Sequence, residues 1–369
     1  MCAQLNEVQQ LASCVEVWKC GCLEPDRAHA LLTMTGRDRT FAFLKNETVD
    51  RAPVHPIIMR WAARQAGTTY RDFCLNPEAK CAAMLHCARE FDLDWVTVMS
   101  DPWAEASAFG VKVTYPENDL PVDTGGHLPD AASAAILKPL EPMEHERCRN
   151  RLTEIEIYRK QANDLFTVGW VEGPVAEYVD LRGASEASMD LLMDPDHVQQ
   201  AMDVITESAL RFIRLQIEKG AHGIGIGDAF CSQIGPDLYR QFAFERQKKL
   251  VDGIHDAGAL AKLHICGNTS AILPDMIATG ADIIDVDHLV PSMSDFAGLL
   301  APHQVFSGKA DPVSIIQDGG PEEIRQSVVR DFRESGGRCI VSAGCEITPD
   351  TSPENMRAFR EAAEAPETR

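Results

Sequence analysis

Lys262-Leu263-His264-Ile265-Cys266-Gly267-Asn268 is an apolar strand pattern that ends on an imidazole and a thiol. Side chains at positions i and i+2 of a β-strand point to the same side, so His264 and Cys266 emerge together where the strand ends. Cys345 follows a second apolar run, residues 339–341. One histidine and two cysteines suit zinc, and three protein ligands leave one coordination position for a substrate. The pattern alone also fits three small buried residues.

The same strand pattern recurs along the chain. Short β-rich runs are separated, in most cases, by amphipathic stretches of helix length. The eight runs are residues 54–58, 95–99, 166–171, 223–227, 260–265, 283–286, 305–307 and 339–342. Eight strands that alternate with helices predict an α/β fold, a single (β/α)8 TIM barrel rather than an open sheet.

The residues that close these strands form a polar set. They are Arg60, Asp101, Glu172, Asp228, His264, Cys266, Asp287, Lys309, Asp311 and Cys345. In a (β/α)8 barrel, the carboxyl ends of the strands build the active site. A single carboxylate at such a position is also commonly a helix N-cap or a surface residue. The coincidence of the set with the His/Cys/Cys pattern favours an active site.

Composition excludes several classes of function. The net charge of -21 argues against binding to nucleic acid, which needs a basic surface. No apolar run reaches the ~20 residues of a membrane span, and the N-terminal residues lack the pattern of a signal peptide. The twelve cysteines are therefore expected to be reduced thiols in a cytoplasmic protein. The alternating glycines of residues 223–227 lack the spacing of a dinucleotide fingerprint and indicate close packing inside a barrel.

The pattern along the chain predicts two regions. Residues 1–37 show weak periodicity and are interpreted as an N-terminal extension, and residues 38–369 as one barrel domain. Within the barrel, residues 107–147 contain five prolines and a Gly-Gly pair and break the rhythm of strands and helices. This stretch is interpreted as a long loop insertion after strand 2, either a functional lid or a surface excursion.

From about residue 50 to residue 363, the sequence resembles the uroporphyrinogen decarboxylase-like superfamily. The motifs that carry the resemblance are Arg51-Ala52-Pro53-Val54, Met99-Ser100-Asp101, Glu172-Gly173-Pro174, Gly308-Lys309-Ala310-Asp311-Pro312, Gly344-Cys345-Glu346-Ile347-Thr348-Pro349-Asp350 and Pro353-Glu354-Asn355. The resemblance implies a (β/α)8 barrel, in agreement with the strand pattern.

Two chemistries are known in this superfamily, and the residues distinguish them. The decarboxylases use no metal; an aspartate after strand 2, here Asp101, and several arginines hold the tetrapyrrole. Arg60, Arg64 and Arg71 preserve part of that arginine set, but the spacing of the run around Arg60 departs from the decarboxylases. Their histidine after the last strand is Cys345 in this chain.

The zinc-dependent corrinoid methyltransferases form the other branch and carry the H-x-C…C pattern of His264, Cys266 and Cys345. A similar zinc set in cobalamin-independent methionine synthase includes a carboxylate after the following strand. This similarity nominates Asp287 as a fourth, displaceable zinc ligand, with Glu172 and Asp228 as alternatives.

The resulting hypothesis is a zinc methyltransferase that works with a corrinoid (cobalamin) carried on a separate protein. The methyl group moves between the corrinoid and a thiol or a methyl ether, in a direction that the sequence leaves open. Asp101, Glu172 and Asp228 are the candidate catalytic residues. Arg60, Trp103 and Phe230 are the candidate substrate-binding residues, although ordinary packing also explains the two aromatic ones. A porphyrinogen decarboxylase is the alternative function, and a homo-oligomer is a possible assembly.

Overall fold

The computed structural model describes residues 34–365 of the 369-residue chain. The predicted extension, residues 1–37, therefore lies almost wholly outside the described residues. The first described helix begins at Gly36, where the Thr35 hydroxyl caps it by accepting a hydrogen bond from the Asp38 N–H group.

The centre of the fold is a parallel sheet that curls into a barrel. The strands, in chain order, are β1 (Trp95–Thr97), β2 (Lys112–Thr114), β3 (Val122–Gly125), β4 (Phe166–Glu172), β5 (Gly223–Gly227), β6 (Leu260–Ile265), β7 (Ile283–Val286), β8 (Val305–Ser307) and β9 (Cys339–Ile340). Seven of them form the sheet in the order β1-β4-β5-β6-β7-β8-β9, and β2 and β3 form a separate antiparallel hairpin.

Val54 joins the two edges of this sheet. It makes a parallel bridge with Val341, directly after β9. On its other side, the Val54 carbonyl accepts a hydrogen bond from the Asp94 N–H group, 3.1 Å away and directly before β1. The predicted (β/α)8 barrel is thus confirmed, with its first strand reduced to isolated bridges.

Helices surround the barrel and connect most of its strands. Their bounds are Gly36–Leu44, Arg60–Ala66, Tyr70–Leu75, Pro77–Glu90, Trp103–Phe109, Ala131–Ala135, Glu146–Gln161, Pro174–Arg182, Ala184–Met193, Pro195–Lys219, Cys231–Leu238, Glu245–Asp256, Leu273–Ala278, Ser294–Ala297, Pro321–Glu334 and Pro353–Ala362. No helix within residues 34–365 is both long enough and apolar enough to cross a membrane.

The alternating glycines of β5 leave room for an indole inside the barrel. A Cβ atom on Gly225 would lie 2.3 Å from the ring of Trp170, and one on Gly227 would lie 2.6 Å from it. The alternate residues Ile224 and Ile226 point the other way and are fully buried. Close packing, rather than dinucleotide binding, therefore accounts for this glycine pattern.

The stretch predicted as a loop insertion, residues 107–147, contains regular elements. They are the hairpin of β2 and β3, the short helix Ala131–Ala135 and one turn of 3-10 helix, Pro142–Glu144. The hairpin region contacts helix Trp103–Phe109, where the Trp103 indole donates to the Pro121 carbonyl (3.3 Å).

A buried ion network closes the end of the barrel where the strands begin. Asp94 accepts hydrogen bonds from the guanidinium groups of Arg39 and Arg51 and from the Val54 N–H group, which lies 2.7 Å away. Arg39 also contacts Asp50 at 2.6 Å. Since Val54 is the residue that bridges the two edges of the sheet, this network holds the barrel closed at the end opposite to the strand C-termini.

Candidate metal centre

The three sequence-predicted ligands meet at the carboxyl end of the barrel. His264 lies within β6, Cys266 follows it, and Cys345 lies beyond β9. The His264 Nε2 atom is 2.9 Å from the Cys266 Sγ atom, which is 3.8 Å from the Cys345 Sγ atom. One ligand atom from each residue lies within 4.8 Å of the other two, and no other set of three His, Cys, Asp or Glu residues between 34 and 365 comes together in this way.

The donor types and the separation of the two sulfurs suit a zinc ion. Two thiolates bound at a Zn–S distance of about 2.3 Å lie about 3.8 Å apart across a tetrahedron. The two Sγ atoms have this separation, 3.8 Å. One imidazole and two thiolates also match zinc in ligand type. Both cysteines are only partly buried, so the cluster can be reached from the open end of the barrel.

The electrostatics of the three side chains favour one thiolate, which Cys266 and Cys345 share through their hydrogen bond. A hydrogen bond with Cys266 lowers the pKa of Cys345 to about 4, with burial opposing it and His264 helping. The same hydrogen bond, together with burial, raises the pKa of Cys266. Although burial lowers the pKa of His264, its hydrogen bond with Asp285 brings it to about 9. A divalent cation would replace the protons of Cys266 and His264, because metal ligands bind deprotonated.

Asp285 orients the histidine. It stands opposite His264 in the register of β6 and β7, and its Oδ2 atom is 2.8 Å from His264 Nδ1. The same oxygen lies 2.9 Å from the Nζ atom of Lys262, which is buried inside the barrel. Burial raises the pKa of Asp285, but Lys262 and His264 outweigh it and hold the carboxyl ionised. This contact directs Nε2 of His264 toward the cysteines and fixes the ring.

Sequence reasoning did not single out Asp285 or Lys262. The signal available in the sequence was that residues two apart in a strand lie on the same face. Lys262 shares a face of β6 with His264, and Asp285 shares a face of β7 with Asp287. The register between the two strands, which puts Asp285 beside His264, has no signature in the sequence.

Asp287, the predicted fourth ligand, lies beside the cluster but outside it. Its Oδ2 atom accepts a hydrogen bond from the N–H group of Gly267, the residue after Cys266, at 2.9 Å. Its Oδ1 atom accepts one from the Leu289 N–H group, also at 2.9 Å. In this arrangement the carboxylate supports the backbone that carries Cys266.

The two alternative carboxylates also lie outside the cluster. Asp228 is fully buried and accepts hydrogen bonds from the Ala176 N–H group and from Gln247, both at 2.7 Å, so that it holds the start of helix Pro174–Arg182. Burial raises the pKa of Asp228 to about 6. Glu172 accepts a hydrogen bond from the Trp170 indole at 2.9 Å.

Asp101 is engaged by an arginine that sequence reasoning missed. The Arg147 guanidinium donates to its Oδ2 atom, and Ser100 donates to the same atom at 2.6 Å. Burial raises the pKa of Asp101, but Arg147 and Arg151 outweigh that effect and lower it. Trp103, a predicted substrate-binding residue, is partly buried and donates its backbone N–H group to Asp101 at 3.1 Å.

Arg60 and Phe230 take different positions around the strand ends. The Arg60 Nε atom lies 3.6 Å from Oε1 of Glu346, the residue that follows Cys345, and the Arg60 N–H group donates to the same oxygen at 2.9 Å. Phe230 precedes helix Cys231–Leu238 and packs partly buried against the core. Arg60 is thus tied to the chain beside one of the candidate ligands, and Phe230 has ordinary packing contacts.

Comparisons with known proteins show which enzymes this chain resembles. The methylcobamide:CoM methyltransferase MtaA of Methanosarcina barkeri is 24% identical over 335 residues, which are 88% of this chain and 96% of that protein. A uroporphyrinogen decarboxylase of Prochlorococcus marinus is 26% identical over 342 residues, covering 86% of this chain and 93% of that one. The sequence is therefore similar to two classes of enzyme at nearly equal identity.

Solved structures extend the comparison to the fold. A methyltransferase from Methanosarcina mazei superimposes with a TM-score of 0.80 at 26% identity, covering 89% of this chain and 98% of that one. A B12-independent methionine synthase from Shewanella, at 11% identity and a TM-score of 0.52, shares the fold. Residues 35–366 match the family described as Uroporphyrinogen decarboxylase (URO-D). The chain therefore belongs to the uroporphyrinogen decarboxylase family.

Proposed function

We propose that this protein is a zinc-dependent methyltransferase that moves a methyl group between a corrinoid carried on a separate protein and a thiol or a methyl ether. The observation that carries the proposal is the convergence of His264, Cys266 and Cys345, with the two sulfurs at the spacing of a tetrahedral zinc site. The similarity to two methyltransferases, one of them named for a methylcobamide, supports it.

The residues around the site have different roles. Zinc held by His264, Cys266 and Cys345 would supply Lewis acidity to the heteroatom that carries or receives the methyl group. Asp285 keeps the imidazole of His264 in the orientation for binding through Nε2, and Lys262 keeps Asp285 ionised. The partial exposure of both cysteines leaves the open end of the barrel for the substrate and the corrinoid protein.

The decarboxylase alternative is weakened by the state of Asp101. A porphyrinogen decarboxylase needs this aspartate free to meet the pyrrole nitrogens. Here Asp101 is 5% exposed and its carboxylate is occupied by Arg147, Ser100 and the Trp103 N–H group. A site with two thiolates and a metal also adds Lewis acidity that decarboxylation of an electron-rich pyrrole does not require.

Parallel assays test the proposal. We expect no carbon dioxide release from uroporphyrinogen. We expect methyl exchange between a corrinoid and a thiol or methyl ether, followed in the corrinoid absorption spectrum and abolished by a zinc chelator. Both reactions are measured with and without the chelator, and zinc is added back to the stripped protein as the control. Decarboxylation that resists the chelator, with an unchanged corrinoid spectrum, would reverse the assignment.

Asp287→Ala is expected to cost less metal affinity than loss of either cysteine, because a displaceable ligand gives way to substrate in any case. The carboxylate also supports the Gly267 and Leu289 backbone, so a moderate loss is expected, about 10–100-fold. Competition with a chromophoric chelator measures the affinity, and X-ray absorption detects a protein oxygen on zinc. An oxygen neighbour that survives in Asp287→Ala would direct attention to Glu172 or Asp228.

A further inference from the structure

Several carboxyl groups lie near the candidate metal centre, at the carboxyl end of the barrel. Glu172, at the end of β4, is in register with Gly227 of β5, which is in register with His264 of β6. In-register residues of neighbouring parallel strands share a face of the sheet, so Glu172 and His264 face the same side of the barrel. Gly227 lies between them in the register, and the indole of Trp170 packs against that glycine. The indole is 6.3 Å, centroid to centroid, from the His264 ring.

Carboxyls outnumber cations around Glu172. Glu105, on helix Trp103–Phe109, accepts a hydrogen bond from the Glu172 N–H group at 3.4 Å. Glu177 and Asp180 belong to helix Pro174–Arg182, which begins two residues after Glu172. The cation among these groups is Arg151 of helix Glu146–Gln161. It forms an ion pair with Glu105, in which Nη1 lies 3.0 Å from Oε2. On the β5 side, Asp228 is already engaged by Gln247 and Ala176.

The surroundings of Glu177 favour a protonated carboxyl group. Its side chain is 1% exposed, and neither of its carboxyl oxygens has a hydrogen-bond partner among the described residues. An ionised carboxylate buried without donors is strongly disfavoured, and such a group binds a proton instead. Burial and the neighbouring acids raise the pKa values of Glu172 and Glu177 and bring that of Asp180 to about 8.

The two carboxyl oxygens of Glu172 have different contacts. Oε1 accepts the hydrogen bond from the Trp170 indole, and Oε2 lies above Gly227, 3.2 Å from where a Cβ atom on that glycine would stand. Oε2 therefore lies on the β5 side of the carboxyl group, toward His264. Glu172 is also partly exposed at the strand end, whereas Glu177 is fully buried.

We propose that Glu172 is the proton donor of the site and delivers its proton to the substrate heteroatom that loses the methyl group. The inference rests on the proposed function. In the step, the bond between the methyl carbon and the heteroatom breaks, and the reduced corrinoid of the partner protein takes the methyl group. The electron pair left on the heteroatom takes the proton of Glu172, which becomes a carboxylate and is reprotonated from solvent.

Infrared spectroscopy tests the protonation independently of turnover. Zinc-loaded wild-type protein at pH 7 is expected to show a protonated carboxyl C=O band that disappears in Glu172→Gln. Glu218→Gln, a change at an exposed position of helix Pro195–Lys219, is the control and should leave the band in place. A wild-type spectrum with no band assignable to Glu172 overturns the proposal, whether or not methyl transfer is observed.

Kinetics then test the delivery. The donors are a series of aryl methyl ethers whose leaving phenolates differ in basicity. Glu172→Gln is expected to slow the most basic leaving groups by about 10²–10⁴-fold and the least basic ones little. Equal slowing across the series overturns proton delivery. Failure of the wild-type protein to demethylate any donor overturns the delivery step. The infrared band still decides the protonation of Glu172, and methyl transfer to a thiol still decides the proposed function.

Discussion

Cys266→Ala and Cys345→Ala are each expected to lose most of the bound zinc while the barrel stays folded. Each change removes one of three protein ligands from a site whose sulfurs lie 3.8 Å apart. Loss of a residue that merely orients a ligand commonly costs 10–100-fold in metal affinity, so loss of a ligand itself should cost more than about 100-fold. The fold should persist because both thiols are partly exposed at the open end of the barrel, away from the core.

The measurement is zinc content after dialysis against a weak chelator, together with the thermal unfolding midpoint. Cys87→Ala is the matched control. This thiol is fully buried on helix Pro77–Glu90, so its loss should lower stability while leaving the zinc content at about one per chain. Full metal retention in both Cys266→Ala and Cys345→Ala would eliminate the assigned ligand set.

The ligands could be predicted from sequence because their signal is local. The spacing of His264 and Cys266 and the apolar run before Cys345 each lie within a few residues, and strand geometry alone puts the side chains at a strand end. The strands were predictable for the same reason. The runs at 223–227, 260–265, 283–286 and 305–307 coincide with β5, β6, β7 and β8.

What the sequence did not reveal depends on register and on contacts between distant segments. Asp285 acts on His264 only because β6 and β7 pair in one particular alignment. The carboxyls around Glu172 gather from two helices that lie on either side of β4 in the chain, and no spacing rule links them. Arg51 entered the sequence argument only as part of a family motif, although the structure gives it a contact with Asp94.

Asp94→Ala is expected to destabilise the fold strongly. The Asp94 side chain is almost fully buried and accepts hydrogen bonds from Arg39, Arg51 and the Val54 N–H group. Removing one partner of a buried ion pair commonly costs about 3–5 kcal/mol, because the remaining charge stays buried without compensation. Here two guanidinium groups lose a partner at once, although Arg39 keeps Asp50 and Arg51 keeps a weaker contact with Asp92.

The loss of stability should be local to Val54, which joins the two edges of the sheet. Val54 bridges β9 and the start of β1, and Asp94 holds it by a side-chain contact as well as through the backbone. We therefore expect Asp94→Ala to lower the urea midpoint and to speed hydrogen exchange at the Val54 and His55 N–H groups, the second of which donates to the Val341 carbonyl. Asp237→Ala, at a fully exposed aspartate, is the control and should change stability by less than about 0.5 kcal/mol. If the two variants unfold at the same urea concentration, the Asp94 network does not hold the barrel closed, and closure rests on the backbone bridges alone.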